Sequence, residues 1–297
     1  MNAWREARKV FFFEKKKQKT FIRKKSGEAH QSRSGIEFGR FAQWSDHRAK
    51  RPDKSFLVLF FKKGHLPNPY AGSLMRVAVY YAPAQADPLC TRAADWLGRD
   101  PETNSPRPQP NLPDIATITS DARQYGFHCT LKPPMHLRPG TTWEALLEAA
   151  TQLAATIPAF PLPPLAVEDL HGFLALRETR PCPEIQSLAD AFVSGLDPFR
   201  APPTESELAR RRQSRLTPAQ DANLLRWGYP HVFDTWFFHM TLTRRLTLEE
   251  RALYHPAAQT FFAPVLAEPR AVRDVCLFTQ AAPGAPFSLA ARLPLQS

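Results

Sequence analysis

The stretch Tyr125-Gly-Phe-His-Cys-Thr-Leu-Lys132 determines the expected fold, because polar and apolar side chains alternate along it. Alternation with a period of two is typical of a strand that buries one face and exposes the other. His128, Thr130 and Lys132 then share the polar face. The opposite face is apolar and carries Phe127, Cys129 and Leu131. We expect this strand to end at Pro133-Pro134, since proline has no amide hydrogen to give to a sheet.

A second stretch, Trp236-Phe-Phe-His-Met-Thr-Leu-Thr243, has the same pattern. His239, Thr241 and Thr243 fall on its polar face. Its apolar face carries Phe238, Met240 and Leu242. Each stretch therefore contains the motif His-x-Thr on a strand with an apolar back. One such motif is a weak signal, whereas two of them in matching surroundings form a fairly specific pattern.

The surroundings of the two strands match as well. Thr141-x-x-Glu144 and Thr247-x-x-Glu250 have the spacing of capping boxes, in which side chains satisfy the free amide groups at the start of a helix. The first helix is expected to end near Ile157. A further strand is expected after each helix, over residues 172–177 and 272–279. The repeated order of strand, capped helix and strand predicts two similar halves.

We therefore expect an α+β fold made of two pseudo-symmetric αβ lobes, whose antiparallel sheets face a central cleft. The first lobe is expected over about residues 75–182, beginning with a strand over 76–82 and a helix from Asp87-Pro88 to Gly98. Connecting helices are expected over about 183–226, and the second lobe over about 227–297. If the lobes are related by pseudo-symmetry, the polar faces of their strands meet in the cleft.

The net charge of +11 belongs to the start of the chain. Residues 1–74 hold 18 Lys and Arg against 6 Asp and Glu, whereas residues 75–297 hold 21 against 22. The first 74 residues could be a basic arm for nucleic acid or anionic lipid. Their lack of periodicity and their lysine content favour a disordered or non-native extension. The near-neutral remainder argues against binding of long nucleic acid, which requires many contacts from Lys and Arg to phosphate.

The sequence also excludes several classes of protein. No apolar run approaches the roughly 18 residues of a membrane span, so no membrane association is expected. A signal peptide would need a longer apolar stretch and a small-residue cleavage site. The four cysteines lie far apart and form no C-x-x-C pair, which indicates reduced thiols in a cytoplasmic protein rather than a disulfide or zinc framework.

Two histidines on facing polar surfaces suit acid–base catalysis. An imidazole has an ordinary pKa of about 6.5, so near neutral pH one ring can accept a proton while another donates one. His128 and His239 are the candidates. The hydroxyls of Thr130 and Thr241 and the ammonium of Lys132 would bind phosphate oxygens. No metal or other cofactor is needed for this chemistry. The alternative is that both histidines are ordinary core residues.

Longer strings around the two motifs resemble a known family. The strings are Tyr125-Gly-Phe-His-Cys-Thr-Leu-Lys-Pro-Pro134, Arg226-Trp-Gly-Tyr-Pro-His-Val-Phe233 and Phe238-His-Met-Thr-Leu-Thr243. They are similar to the 2H phosphoesterase superfamily and, within it, to the DUF1045 branch of phosphonate-metabolism proteins. The resemblance spans about residues 75–297. It implies a bilobal fold with both motifs in a central groove, His128 and His239 as the acid–base pair, and Thr130 and Thr241 as the phosphate-binding residues.

The function that we expect from the residues and the resemblance is a metal-independent phosphodiesterase that opens a small cyclic phosphate. In a phosphonate pathway, the substrate would be a phosphoribosyl 1,2-cyclic phosphate, which opens to a ribose bisphosphate. Two alternatives stay open. One is a 2′,3′-cyclic phosphodiesterase acting on RNA ends or nucleotides, and the other is a non-catalytic module that binds nucleotides or RNA.

Other residues have two interpretations each. Tyr125 and Tyr229 could stack on a base or sugar of the substrate, or pack beside the strands. Arg210-Arg-Arg212 could steer an anionic substrate, or form a solvated helix face. His231 has no partner at a diagnostic spacing, which favours a structural or surface role.

Overall fold

The computed structural model describes residues 76–297, and the predictions for residues 1–74 lie outside the described residues. The strands are β1 (Arg76–Tyr81), β2 (Cys129–His136), β3 (Phe160–Leu162), β4 (Leu165–Asp169), β5 (Leu174–Glu178), β6 (Met240–Thr241), β7 (Arg270–Val272), β8 (Asp274–Gln280) and β9 (Ser288–Pro294). The helices are α1 (Pro88–Leu97), α2 (Ile115–Ile118), α3 (Ser120–Tyr125), α4 (Trp143–Ala154), α5 (Pro183–Gly195), α6 (Glu205–Arg212), α7 (Pro218–Trp227) and α8 (Leu248–Leu266).

The helix termini mostly follow their sequence signals. Asp87 caps α1 by accepting a hydrogen bond from the amide of Leu89 (2.9 Å), and Gly98 ends that helix in the left-handed region at φ 79°. The capping box predicted at the start of α8 is confirmed. The box predicted at Thr141 is wrong by one residue: Thr142 caps α4, accepting from the amide of Ala145 (3.2 Å).

Seven of the strands form one antiparallel sheet in the order β4-β5-β6-β2-β1-β8-β9, and β3 pairs with β7 separately. The expectation of an α+β fold with antiparallel sheet is therefore confirmed. The strands of both expected lobes are continuous within this sheet. They join where Cys129 of β2 pairs with Met240 of β6.

Strands from one predicted lobe also pair with strands from the other. The β8–β9 hairpin lies in the second range, yet β8 pairs with β1 of the first. Conversely, β6 of the second range pairs with β2 and β5 of the first. Contiguous lobes would require each strand to pair within its own range. The repeated pattern in the sequence identifies similar elements but does not fix which strand edges hydrogen-bond.

The strand predicted over residues 125–132 is displaced toward the C-terminus. Tyr125 is the last residue of α3, and β2 begins at Cys129 and continues through Pro133-Pro134 to His136. The β1–β2 ladder shifts register twice, on either side of Val79, and neither proline pairs with a residue of β1. A proline is tolerated in a sheet at such a bulge, because no ladder hydrogen bond is required of it there.

The two faces of the sheet differ in what covers them. Val77, Val79 and Tyr81 of β1 face the main core, which also contains residues of α1, α4, α5 and α8. Ala78 and Tyr80 face the other side, where the apolar cluster is small. Because few apolar side chains cover the face that carries Ala78 and Tyr80, polar side chains can lie on it. Within residues 76–297, no helix is long and apolar enough to cross a membrane.

Candidate active site

His128 lies immediately before β2, on the less covered face of the sheet. Its imidazole stacks on the ring of Tyr80, with 3.6 Å between ring centroids and 21° between ring planes. Its Nδ1 is 2.9 Å from the carbonyl oxygen of Gly126, and its Nε2 is 3.1 Å from Oγ1 of Thr130. A carbonyl oxygen only accepts, so the proton of the neutral ring belongs on Nδ1. Nε2 then accepts the hydroxyl hydrogen of Thr130.

His239 has the same local geometry immediately before β6. Its Nδ1 is 3.1 Å from the carbonyl oxygen of Phe237, again two residues earlier in the chain. The rings of Phe237 and Phe173 flank it at centroid distances of 4.8 Å and 6.1 Å. In both motifs, the backbone carbonyl therefore fixes the tautomer in which Nε2 carries the lone pair.

The pairing of β2 with β6 brings the two motifs together. Cys129 lies opposite Met240 in an antiparallel ladder, so the register sets His128 beside Thr241 and Thr130 beside His239. The indole of Trp236 donates to the carbonyl of Thr130 (2.8 Å) and ties the segment before β6 to β2. The polar faces of the two strands thus meet side by side in one sheet, and not across a gap between two sheets.

The backs of both motifs are apolar, as the alternation predicted. The residues between and beside the polar ones are buried in the main core: Phe127, Cys129, Leu131, Phe238, Met240 and Leu242. Both histidines are themselves only half-buried. Partial exposure favours a position at the surface of the sheet over the alternative of two ordinary core histidines.

Burial changes the acid–base properties of both rings. Burial lowers the pKa of His128 to about 4, against a hydrogen bond to Gly126 that raises it, and the charge of His239 lowers it further. Burial also lowers the pKa of His239, where the hydrogen bond to Phe237 opposes the shift and the charge of Arg177 adds to it. Both rings are consequently neutral near pH 7 in the unliganded protein.

Comparison with known proteins assigns the chain to a family. The family model described as "Protein of unknown function (DUF1045)" matches residues 130–288, which is more than half of the chain. The chain belongs to the DUF1045 family. The matched range contains His239 and both threonines of the motifs and begins two residues after His128.

Two curated relatives of this DUF1045 chain have the same name. The first, "Ribose 1,5-bisphosphate phosphokinase PhnN" of Janthinobacterium sp. (strain Marseille), is 39% identical over 231 residues, covering 75% of this chain and 51% of the relative. The second, of Laribacter hongkongensis (strain HLHK9), is 34% identical over 220 residues, covering 72% and 50%. The DUF1045 chain thus spans about half the length of the curated relatives it matches.

Among solved structures, the chain is similar to Escherichia coli LigT in its apo form. The identity is 14% and the TM-score is 0.39, with 75% of this chain and 98% of that chain covered. A LigT structure in complex with 3′-AMP matches at 15% identity and a TM-score of 0.36, with 75% and 99% covered.

The prediction that Lys132 faces the site of the DUF1045 chain is wrong. Lys132 is only 2% exposed, and its ammonium donates to the carbonyl of Val193 in α5 (2.8 Å). The cause is the irregularity in the ladder, where Val79 pairs with Lys132 while the next residue, Tyr80, pairs with Thr130. An extra residue in β2 breaks the period of two. Lys132 therefore shares the core face with Val79.

Tyr125 and Tyr229 lie near the motifs. The ring of Tyr125 is 6.3 Å from that of His128 and stacks on Phe287 at 5.3 Å. Tyr229 interacts electrostatically with Tyr125 and with Tyr80, the residue under His128. Their role in substrate binding stays a prediction.

Three residues that the sequence analysis missed or set aside belong to this neighbourhood. Tyr80 supports His128 from below, and no motif signals it. The pairing of Leu176 with Met240 sets Arg177 opposite His239. Its Nη2 donates a hydrogen bond to Oε1 of Glu178 (3.3 Å), so this guanidinium also belongs to an ion pair. His231 is close enough for its charge to lower the pKa of His239, after the larger effect of burial. Only the strand register could have identified Tyr80 and Arg177.

No metal site is evident in the described part of the chain. Within residues 76–297, no group of three or more His, Cys, Asp or Glu side chains is arranged to hold a metal ion. The four cysteines, all within this range, are free thiols. The polar groups around the two histidines are instead hydroxyls and guanidinium groups, which suit an anion.

Proposed function

We propose that this chain is a phosphodiesterase that opens a small cyclic phosphate by acid–base catalysis between His128 and His239. The supporting observation is the pair of imidazoles at the starts of adjacent strands, each with Nδ1 bound to a backbone carbonyl, which places the lone pair on Nε2. A fixed tautomer beside a second imidazole is the arrangement that general acid–base catalysis needs.

In the proposed reaction, water attacks the phosphorus of the cyclic ester. The Nε2 of one neutral histidine takes a proton from the water as the new P–O bond forms. The Nε2–H of the other histidine, in its protonated form, gives a proton to the sugar oxygen as the old P–O bond breaks. The product is a phosphate monoester, and the two histidines have exchanged protonation states.

Binding of the anionic substrate would allow one histidine to be protonated as the acid while the other stays neutral as the base. Burial keeps both rings neutral without ligand, and a phosphate anion beside them favours the protonated form and raises the pKa values again. The hydroxyl of Thr241 would donate to a non-bridging oxygen, and that of Thr130 would do so after turning away from Nε2 of His128. The guanidinium of Arg177, opposite His239, replaces Lys132 as the cation that stabilises the added negative charge.

We propose a phosphoribosyl 1,2-cyclic phosphate as the substrate, opened to a ribose bisphosphate. The support is the name that two relatives share, which assigns ribose 1,5-bisphosphate to those proteins as a substrate. An enzyme that forms a ribose bisphosphate would supply such a kinase. The match covers about half of each relative, so this link is part of the proposal.

The test is a screen of the full chain against a panel of cyclic phosphates, with identification of the products. The panel includes phosphoribosyl 1,2-cyclic phosphate and 2′,3′-cyclic nucleotides. His128→Ala and His239→Ala should each lower kcat by about 10²- to 10⁴-fold, the usual contribution of one general acid or base. His255→Ala is the control, since His255 contacts Val167 in β4, away from the motifs.

Each outcome of this screen points to a different function. Turnover of 2′,3′-cyclic nucleotides alone would identify the enzyme as a nucleotide phosphodiesterase. Binding without turnover of any compound would indicate a non-catalytic module. If either histidine variant keeps wild-type turnover on the best substrate, the proposed mechanism is wrong.

A further inference from the structure

Arg211 differs from the other arginines of α6 because it packs against an aromatic ring and has no ionic partner. Its guanidinium carbon is 4.8 Å from the centre of the Tyr229 ring, within cation–π distance. The buried Nε of Arg211 has no hydrogen-bond partner. Among residues 76–297, no ion pair includes Arg211. By contrast, Arg212 pairs with Asp221 at 2.8 Å, and Arg210 is exposed to solvent.

Glu207 is close enough for its charge to favour the charged form of Arg211, but the two side chains form no ion pair. Glu207, one turn earlier in α6, accepts a hydrogen bond from the amide of Thr204 (2.9 Å) and so serves the helix cap. Burial lowers the pKa of Arg211, Tyr229 and Glu207 oppose this shift, and the charges of Arg210 and Arg76 add to it. A partly buried cation of this kind usually has an anion beside it. Among residues 76–297, no carboxylate lies within ion-pair distance of the Arg211 guanidinium, and Glu207 acts on it only from further away.

The hydroxyl of Tyr80 is a second polar group without a partner in the same neighbourhood. Tyr80 is 0% exposed, and its hydroxyl makes no hydrogen bond. This hydroxyl interacts electrostatically with Tyr125, Tyr229 and Arg76, and Arg76 in turn interacts with Arg211. Burial raises the pKa of Tyr80, so the phenol keeps its hydrogen and can donate it. Buried polar groups without partners are rare and require an explanation.

We propose that Arg211, Tyr229, Arg76 and the hydroxyl of Tyr80 form a second anion-binding subsite beside the histidine pair. The ligand of this subsite is a phosphate monoester on the same small molecule whose cyclic phosphate is opened. The ring of Tyr80 connects the two positions, because its face supports His128 while its hydroxyl belongs to the subsite. This inference rests on the proposed function and names the residues that would bind the additional phosphate of its proposed substrate.

The test compares ribose 1,2-cyclic phosphate with and without a 5-phosphate as substrates of the full chain. We expect wild type to prefer the 5-phosphorylated compound by at least about 30-fold in kcat/KM. Arg211→Gln should reduce this preference by about 10- to 100-fold, the usual loss for one hydrogen bond to a charged group. Arg210→Gln is the matched control and should keep the preference within about twofold. Tyr80→Phe keeps the ring on His128, and should reduce the preference by about fivefold.

Binding of ribose 5-phosphate, measured by calorimetry, separates the subsite from the reaction. This compound carries the monoester but no cyclic ester. If no cyclic phosphate is opened, yet Arg211→Gln binds ribose 5-phosphate at least tenfold more weakly than wild type, the subsite is supported and the proposed reaction is wrong. If cyclic phosphates are opened but wild type and Arg211→Gln show equal preference and equal binding, the subsite is refuted and the proposed function stands. Tyr80→Phe gives an independent result if Arg211→Gln does not fold.

Discussion

Replacement of His128 by Asn should remove a pH dependence from the stability of the fold. The folded protein holds the pKa of His128 at about 4, mainly by burial, whereas the unfolded chain has a value of about 6.5. Between these values the unfolded state binds more protons than the folded state. The contribution of His128 therefore lowers the stability of the wild type as the pH falls from about 6.5, and the loss levels off below about pH 4.

The magnitude follows from the two pKa values. At pH 5 the unfolded imidazole is almost fully protonated and the folded one is almost fully neutral. The linkage relation then gives a loss of about 2 kcal/mol at pH 5 relative to pH 7.5. His128→Asn removes the titration but keeps a side-chain amide that can donate to the carbonyl of Gly126. The difference in unfolding free energy between wild type and variant should thus shift by about 2 kcal/mol between the two pH values.

Urea unfolding of the full chain at pH 7.5 and pH 5 measures this shift. His239 and all other titrating groups remain in both proteins, so their contributions largely cancel in the comparison. His255→Asn controls for removal of a histidine elsewhere. A shift below about 0.5 kcal/mol would refute the reasoning, because it would mean that the ring of His128 is solvated well enough to protonate in the folded state.

Three further predictions concern the site and its surroundings. Lys132→Met should keep kcat/KM within about threefold, because the Lys132 ammonium is bound to Val193. Burial lowers the pKa of Lys132 to about 8 in the folded protein, against about 10.4 in the unfolded chain. The free energy of unfolding of wild type relative to Lys132→Met should therefore rise by about 2 kcal/mol from pH 7.5 to 9.5, and urea unfolding at both pH values measures this difference. Thr130→Val and Thr241→Val should each lower kcat by about tenfold, since each removes one hydroxyl and no proton transfer. The measurement is steady-state kinetics at saturating substrate, and a loss as large as that of His128→Ala would contradict the prediction. EDTA should leave turnover unchanged, because side chains supply both proton transfers and the phosphate contacts; inactivation reversed by Zn²⁺ or Mn²⁺ would indicate a metal-dependent mechanism.

The sequence was sufficient to predict what depends on local periodicity. The apolar backs of both His-x-Thr strands are buried as expected, because alternation along one strand does not depend on its neighbours. The start and end of α1 also follow from nearby residues. Lys132 shows the limit of this reasoning. A single extra residue in β2 reverses the alternation, and nothing before Pro133-Pro134 signals it.

The strand pairings could not be predicted in the same way. Arg177 enters the site because β5 pairs with β6, although the two strands are more than 60 residues apart in the chain. Tyr80 does so because β1 pairs with β2. Pairings of this kind are set by packing of the whole sheet, which no single motif encodes. The two histidines of the proposed reaction could therefore be predicted from the sequence, while the proposed cation and the supporting ring required the structure.

The burial of the two histidines connects the fold to the proposed chemistry. A ring held neutral by burial is a poor acid until an anion arrives, so the protonated partner forms only when phosphate is bound. The carbonyls of Gly126 and Phe237 keep both rings in one tautomer while this happens, because each binds Nδ1 and leaves Nε2 to exchange the proton. In the proposed reaction, the negative charge of the substrate would therefore complete the acid–base pair. A second phosphate held at Arg211 would strengthen the same effect through its charge and would favour substrates that carry both groups.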